Sequence, residues 1–395
     1  MKLLFIQGGT RLKKDKDGVY YTDGNFNNNV WNRYKKYCDE LLLVLREEEK
    51  IYEPSFAKSK FNFVDDNCMT IFNVPDLMRP PFRFFSFKYR KIVTKKIESA
   101  IKLCDKAIIR SAHNFYTLTA VRLCKKYNKP YLIEVAGFAF DGYWFHGDLF
   151  GKIVALPYEL LAKSAMKDAD YCVYVTQKAL QNRYPCKNKT LGCSDVELYK
   201  FDDADLNSRI ERLKNNKENK FILGTIGWLN VKFKAQKDVI KVLYNLKKQG
   251  FTNFEYQLVG LGNSAFLEKL VKKYELDNCV KIIGPLPHEK VFDWLEKIDI
   301  YIHPSYTEGL CRAIVEAMSK ACPIIVSDAG GNSELANSKY VFKKRSTKQL
   351  EKILKNITNA DLIEEAMRSF NKSKEFNKKA LDKVRNDFYE MFINE

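Results

Sequence analysis

No C-x-x-C pair occurs among the ten cysteines of this 395-residue chain, and it has only four histidines, His113, His146, His288 and His303. That excludes the ligand spacing of a zinc module. Scattered thiols of this kind read as reduced, cytosolic and mostly buried. No stretch approaches the roughly 20 apolar residues of a membrane span. The opening, MKLLFIQGGT, has one lysine and an apolar run too short for the core of a secretory signal. The expected location is therefore cytoplasmic, with at most a peripheral seat on the inner face of a membrane. Repeats of 20 to 50 residues and long low-complexity tracts are also missing, which excludes solenoids and arrays.

What is present is globular composition, 46% hydrophobic and 29% charged, in a length that suits two domains. Lys and Arg number 67 against 49 Asp and Glu, a formal charge of +18. Residues 1–200 carry +12 of it and the remainder +6. A solvated excess of this size points to a polyanion, an anionic membrane surface or phosphorylated ligands as partner.

Short β-type runs alternate with amphipathic stretches throughout, the pattern of α/β domains with parallel sheets. The first half offers strands at Leu3 to Gln7, Leu41 to Leu45, Lys106 to Arg110, Tyr131 to Val135 and Tyr171 to Val175, and helices at Lys91 to Leu103 and Tyr116 to Lys126. The second restarts the pattern with strands at Phe221 to Ile226, Glu255 to Val259, Val280 to Ile283, Ile300 to His303 and Pro323 to Ser327. Between the halves, Asp195 to Lys220 is polar and reads as the linker. The expected domains are 1–195 and 196–375, with a C-terminal helix of about 376–395 packing back on the first. Two doubly wound, Rossmann-like domains leave a cleft at the carboxyl ends of their strands.

Arg79 to Lys106 carries nine Lys or Arg against Glu98 and Asp105, interleaved with Phe82, Phe84, Phe85, Phe87 and Tyr89. Cations meet anionic lipid while rings settle at the boundary, so Arg83, Lys88, Arg90 and Lys91 are candidates for contact with a membrane or acceptor. The same mixture suits single-stranded nucleic acid, and phenylalanines in a core beside a solvated charged face would give the same pattern.

The chemistry concentrates in Ile300 to Leu335. A strand ending at His303 passes through Pro304-Ser305 to Glu308-Gly309, and a helix is expected from there, with apolar residues at Leu310, Ile314, Ala317, Met318 and Ala321. The backbone N–H groups of Gly309, Leu310 and Cys311 would then form an anion site at the helix start. Glu316 lies six residues past Leu310, about 9 Å along the axis, the reach from a diphosphate to a ribose. Carboxylates at both ends of a phosphate cradle suit a nucleotide sugar. A glycine loop, Ser327 to Glu334, faces the same cleft.

These residues resemble the signature of the retaining glycosyltransferases of family 4, with the GT-B fold. In that family PS-x-x-EG is followed by EAM, with two glutamates separated by seven residues, then by a P-x-[IV]-[IV] strand and a GG loop ending in Glu. Pro304, Ser305, Glu308, Gly309, Glu316, Ala317, Met318, Gly330, Gly331 and Glu334 match. Val259 to Gly262 and Gly284 extend the likeness, and Gly8-Gly9 occupies the family's first glycine loop, which makes Gly9 a donor-binding candidate. The resemblance implies transfer of a sugar, with retained configuration, from a nucleoside diphosphate sugar to a hydroxyl. The acceptor attacks on the face of the leaving group, whose phosphate oxygen takes the proton. Glu308 would hold sugar hydroxyls and Glu316 the ribose, with neither metal nor cofactor.

Two departures stand out. Where the family places an arginine after a strand-ending glycine and then a Lys-Gly, this chain has Gly227-Trp228 and Lys234-Ala235, so compensation of the diphosphate is assigned to Lys232 and Lys234 jointly. If that piece is extended, Phe233 points away and both lysines share one side. Where the family often has His-Gly after the strand Tyr131 to Val135, Ala136-Gly137 stands instead. Asp141 and His146 in the following loop are the polar candidates, with His146 the candidate catalytic group. His113 reads as structural, and Asp168-Ala169-Asp170 and Asp203-Ala204-Asp205 as surface caps. The resemblance makes the expected acceptor a glycan or lipid-linked sugar in the synthesis of a surface polysaccharide such as capsule or lipopolysaccharide. An epimerase or phosphorylase of the same fold, or a membrane- or polyanion-binding protein with a decayed donor site, are the alternatives.

Overall fold

A computed structural model describes residues 1–24, 26–146 and 149–395; the side chain of His146 also lies outside the described residues. The first half builds one sheet from β1 (Lys2–Asp15), β2 (Tyr20–Thr22), β3 (Glu40–Tyr52), β4 (Asn62–Phe63), β5 (Met69–Pro75), β6 (Lys106–Arg110), β7 (Tyr131–Val135), β8 (Tyr171–Tyr174) and β9 (Lys189–Gly192). Its parallel body runs β5-β3-β1-β6-β7-β8-β9, and β2 and β4 add an antiparallel flap beyond the far end of β1. Its helices are α1 (Asn28–Lys35), α2 (Pro54–Lys60), α3 (Phe82–Phe85), α4 (Phe87–Leu103), α5 (Phe115–Lys126), α6 (Ala139–His146), α7 (Leu149–Lys167) and α8 (Ala179–Arg183).

Side chains alternate across a strand, and both faces of this sheet are covered, so its strands read as unbroken apolar runs. Leu4 and Ile6 meet Val93 and Ile97 of α4 and Ala120 of α5 on one face. Leu3 and Phe5 meet Trp31 and Tyr34 of α1 on the other. Asn114 sets the start of α5 through a reciprocal cap with Thr117.

The second sheet comprises β10 (Phe221–Ile226), β11 (Phe254–Val259), β12 (Val280–Gly284), β13 (Ile300–His303), β14 (Ile324–Ser327) and β15 (Val341–Phe342), all parallel, in the order β12-β11-β10-β13-β14-β15. That is the 3-2-1-4-5-6 order of a doubly wound sheet, whose direction of winding switches between β10 and β13. Its helices are α9 (Asp203–Lys214), α10 (Gln236–Lys248), α11 (Ala265–Lys273), α12 (His288–Lys297), α13 (Arg312–Ser319), α14 (Thr347–Lys355) and α15 (Asn359–Ser373). The last helix, α16 (Lys378–Asn394), returns to the first sheet. Phe388, Tyr389 and Phe392 join the Leu3 and Phe5 cluster, and Tyr389 donates to Glu134. The outgoing and returning crossings pair with each other: Leu198 N–H donates to Phe376 O and Lys378 N–H to Leu198 O, both at 2.9 Å.

Three sequence expectations need correction. The stretch read as a linker contains α9, which packs on the second domain: Arg209 is buried and donates to the carbonyls of Leu295 and Ile298. Gly8-Gly9 is not a loop after a finished strand. It lies within β1, at a register shift between Ile6 and Arg11, because pairing with β2 and the long β3 carries the ladder on to Asp15. The helix after Glu308 starts at Arg312, with Cys311 as its N-cap, so Gly309, Leu310 and Cys311 are not its first turn. All ten cysteines are free thiols. Among the described residues no helix is long and apolar enough to cross a membrane.

Candidate active site

At the switch point of the second sheet, the loop after β13 is tied down on the short 3₁₀ turn Lys232–Lys234 that follows β10. Tyr306 N–H donates to Phe233 O at 2.8 Å, Ser305 Oγ to the same carbonyl at 3.2 Å, and Tyr306 Oη to Asp238 at 2.6 Å. The turn closes at Ala235 with φ +56°, a left-handed geometry that favours glycine. This explains why the family motif has glycine at that position.

The result is a compact charge cluster. Lys234 Nζ lies 2.6 Å from Glu308 Oε1 and His303 Nε2 lies 2.8 Å from the same oxygen. His303 is 1% exposed, its Nδ1 3.3 Å from Tyr301 Oη and 3.7 Å from Cys311 Sγ. Burial would raise the Glu308 carboxyl, but the Lys234 charge and the His303 hydrogen bond win and hold it at about 2. Burial would likewise lower His303, and the facing Cys311 sulfur and Glu308 carboxylate raise it to about 9. Glu308 is thus ionised, and both of its contacts sit on Oε1; among the described residues nothing bonds Oε2. The ligand atoms of His303, Glu308 and Cys311 lie within 4.8 Å of one another. A cation there would compete with the Lys234 ammonium for Glu308, so the trio is a poor metal cage.

Lys232 does not share this site. A 3₁₀ turn advances about 120° per residue, so residues two apart face different ways rather than the same way as in an extended strand. Lys232 is exposed and lines a separate 230 Å³ hollow with Asn230, Lys237 and Asn263.

The glycines let three loops meet. A Cβ on Gly330, whose φ is +59°, would stand 1.9 Å from Glu308 O. One on Gly309 would stand 2.1 Å from Ala136 O of the first domain. Gly331 N–H donates to Gly309 O at 2.7 Å. Glu316, on α13, is half-buried with Oε1 3.6 Å from His288 Nε2. Glu334 crosses to the first domain and accepts from the N–H groups of Gln177, Lys178 and Ala179 at the start of α8, at 2.8, 3.1 and 2.6 Å.

The first domain holds a 520 Å³ cavity beside the middle of β1 and the loop after β6, which Gly9 and His113 help to line. The side chain of His146, a candidate from the sequence, lies outside the described residues. Asp141 pairs with Lys344 of the second domain at 2.9 Å. Of the basic candidates, Lys88, Arg90 and Lys91 are exposed on the first turns of α4, and Phe82, Phe85 and Phe87 are exposed beside them. Arg83 is engaged, 2.5 Å from Glu49 and stacked on Tyr89. Sequence reasoning assigned His303 and Tyr301 no role; the one available signal was a histidine closing a strand five residues before Glu308.

Comparison with known proteins accords with this geometry. The family of glycosyl transferases group 1 matches residues 207–382, which include Lys234, Glu308 and Glu316. Protein CapJ of Staphylococcus aureus is 37% identical over 358 residues, 90% of this chain and 85% of CapJ. The amylovoran biosynthesis glycosyltransferase AmsK of Erwinia amylovora is 36% identical over 97 residues, 23% of this chain and 24% of AmsK. Among solved structures, HepE of Anabaena in complex with UDP superposes with a TM-score of 0.61 at 16% identity, covering 99% of this chain and all of HepE. With two doubly wound sheets facing one cleft and a relative matched along nearly its whole length, the chain belongs to the glycosyl transferases group 1 family and has the GT-B fold.

Proposed function

We propose that the protein is a retaining glycosyltransferase that moves a hexosyl unit from a nucleoside diphosphate sugar to a hydroxyl of a glycan or lipid-linked acceptor in surface polysaccharide synthesis. The observation that carries this reading is the Lys234, Glu308 and His303 cluster at the switch point of the second sheet, where doubly wound folds bind their ligands. An ammonium has three donors, so the bond to Glu308 leaves two for a phosphate oxygen of the donor. Negative charge grows on the leaving diphosphate as the anomeric bond breaks, and a cation already in place stabilises it without reorganising. Glu308, ionised across the physiological range, offers Oε2 to sugar hydroxyls. Glu316 takes the ribose hydroxyls. The acceptor hydroxyl attacks on the leaving-group face and passes its proton to the departing phosphate oxygen, so no protein nucleophile is needed.

In this reading Lys234 supplies the positive charge, so neither metal nor cofactor takes part. HepE was crystallised with UDP, which supports the nucleotide-sugar donor, and AmsK is named as a glycosyltransferase of amylovoran biosynthesis, which supports a biosynthetic transfer. The exposed cations and rings of α3 and α4 support a seat on the inner face of an anionic membrane, where a lipid-linked acceptor would be met. The test is a thermal-shift screen of UDP-, GDP- and ADP-sugars in the presence of chelator. A follow-up NMR assay would report the anomeric configuration of the product. If no nucleotide sugar stabilises the protein the reading fails, and an inverted product removes retention alone.

A further inference from the structure

The first sheet also winds outward in both directions from its centre, between β1 and β6, and the 520 Å³ cavity lies at that switch point. Its walls hold more polar groups than the fold uses. Gln7 is 6% exposed; its Oε1 accepts from the N–H groups of Gly9 and Thr10 at 2.7 and 3.1 Å, and its Nε2 is buried with no partner. Arg46 Nε and His113 Nδ1, on the same cavity, are also buried and unpaired. All three belong to residues that line this one hollow. The charge there is positive at the rim. Arg11 and Arg46 share the buried Asp76 at 3.0 and 3.3 Å, while exposed Arg79 forms no ion pair among the described residues. Aromatic rings also line the cavity, Phe84 and Phe150 with centroids 5.1 Å apart, of the kind that receives the apolar face of a sugar.

We propose that this cavity is an anion-reading acceptor subsite, in which Arg46, Arg11 and Arg79 hold a phosphate or carboxylate borne by the acceptor sugar while the sugar ring lies along the wall that Gln7 and His113 line. The inference rests on the glycosyltransferase reading and adds to it the chemical class of the acceptor. Burial lowers His113 to about 4, so its ring is neutral at physiological pH and does not compete with the arginines for the anion.

The experiment titrates the full chain, with the donor site saturated by UDP, against three probes: inorganic pyrophosphate, methyl glucuronoside and methyl glucoside. Wild type should bind at least one anionic probe ten-fold or more tighter than methyl glucoside. Arg46→Gln and Arg79→Gln should each reduce that preference at least five-fold while UDP affinity stays within two-fold. Preference for pyrophosphate alone supports a lipid-linked diphosphate as source, for the glucuronoside alone an acidic sugar, and for both a site that reads charge from either. Equal binding of methyl glucoside, or an anion preference that survives both substitutions, overturns the subsite. If Arg46→Gln loses its fold because the buried Asp76 keeps only one of its two arginines, the exposed Arg79→Gln variant decides. Failure of UDP itself to bind counts against the transferase reading, not against the subsite.

Discussion

Replacing Glu308 by glutamine tests whether the cluster at the second switch point is held by charge. The amide keeps the shape and removes the one anion between Lys234 and His303. Breaking a buried pair by deleting one partner typically costs about 3–5 kcal/mol. Part of this is recovered if His303 sheds its proton, so a net loss of about 2–4 kcal/mol is expected. At about 2–4 °C per kcal/mol for a domain of this size, the melting temperature should fall by about 4–16 °C. The pH dependence is more specific. His303 is raised to about 9, so its contribution is full below the unfolded value of about 6.5 and is lost as pH rises through 9. Glu308 is held at about 2, so its contribution is full above about 4.3 and is lost as pH falls toward 2. The gap between wild type and Glu308→Gln should therefore be widest between about pH 4.5 and 6.5 and shrink toward pH 9. The measurement is a melting series from pH 3 to 10 on both proteins. Equal melting temperatures, or a gap independent of pH from 5 to 9, would refute the electrostatic account of this cluster.

The alternation of strands and helices was legible because strands buried on both faces appear as unbroken apolar runs: Lys106–Arg110, Tyr131–Val135, Phe221–Ile226 and Ile300–His303 fall where the sequence places them. Helix α9 was hidden by its charges. Leu206, Ile210 and Leu213 recur at helical spacing beneath Asp, Glu, Arg and Lys, and Asp202 caps the start, but polarity outweighed period in a stretch that joins two halves. The Glu308 to Glu316 spacing was legible because both lie on one loop and helix. The partners of Glu308 were not. His303 and Lys234 reach it from β13 and from the turn after β10, 5 and 74 residues away in sequence, and that proximity follows from strand order rather than from any local pattern. Lys232 was misplaced for a local reason, since a 3₁₀ turn and an extended piece send alternate side chains in different directions. The cavity of the first domain left little trace in sequence because Gln7, Arg46 and His113 come from β1, β3 and the loop after β6, far apart along the chain.

Glu316→Ala should weaken binding of the donor nucleotide by about 10- to 100-fold, the loss of hydrogen bonds to a charged acceptor at about 1.5–3 kcal/mol; unchanged affinity by calorimetry would remove the ribose from Glu316. Lys234→Ala should lower turnover by about 10²-fold or more, the usual effect of deleting one preorganised donor, and Lys232→Ala by only a few-fold. The double variant should be inactive, and full activity in it would overturn the lysine assignment. The surface of α4 gives the last test. Lys88, Arg90 and Lys91 are exposed beside the exposed rings of Phe82, Phe85 and Phe87, while Arg83 is held by Glu49. Each exposed cation near an anionic bilayer contributes about 1 kcal/mol, and Arg90 keeps its charge while stacked on Phe115, so changing all three to serine should reduce co-sedimentation with phosphatidylserine vesicles by about 100-fold in affinity at low salt. Arg83→Ser, which removes a cation already neutralised, should sediment close to wild type. Raising the salt should release wild type and leave the triple variant little changed, because screening shortens the reach of the charges but not that of the rings. If the triple variant sediments like wild type, or Arg83→Ser proves as damaging as the triple change, the α3 and α4 face is not a membrane seat and the acceptor is met in solution.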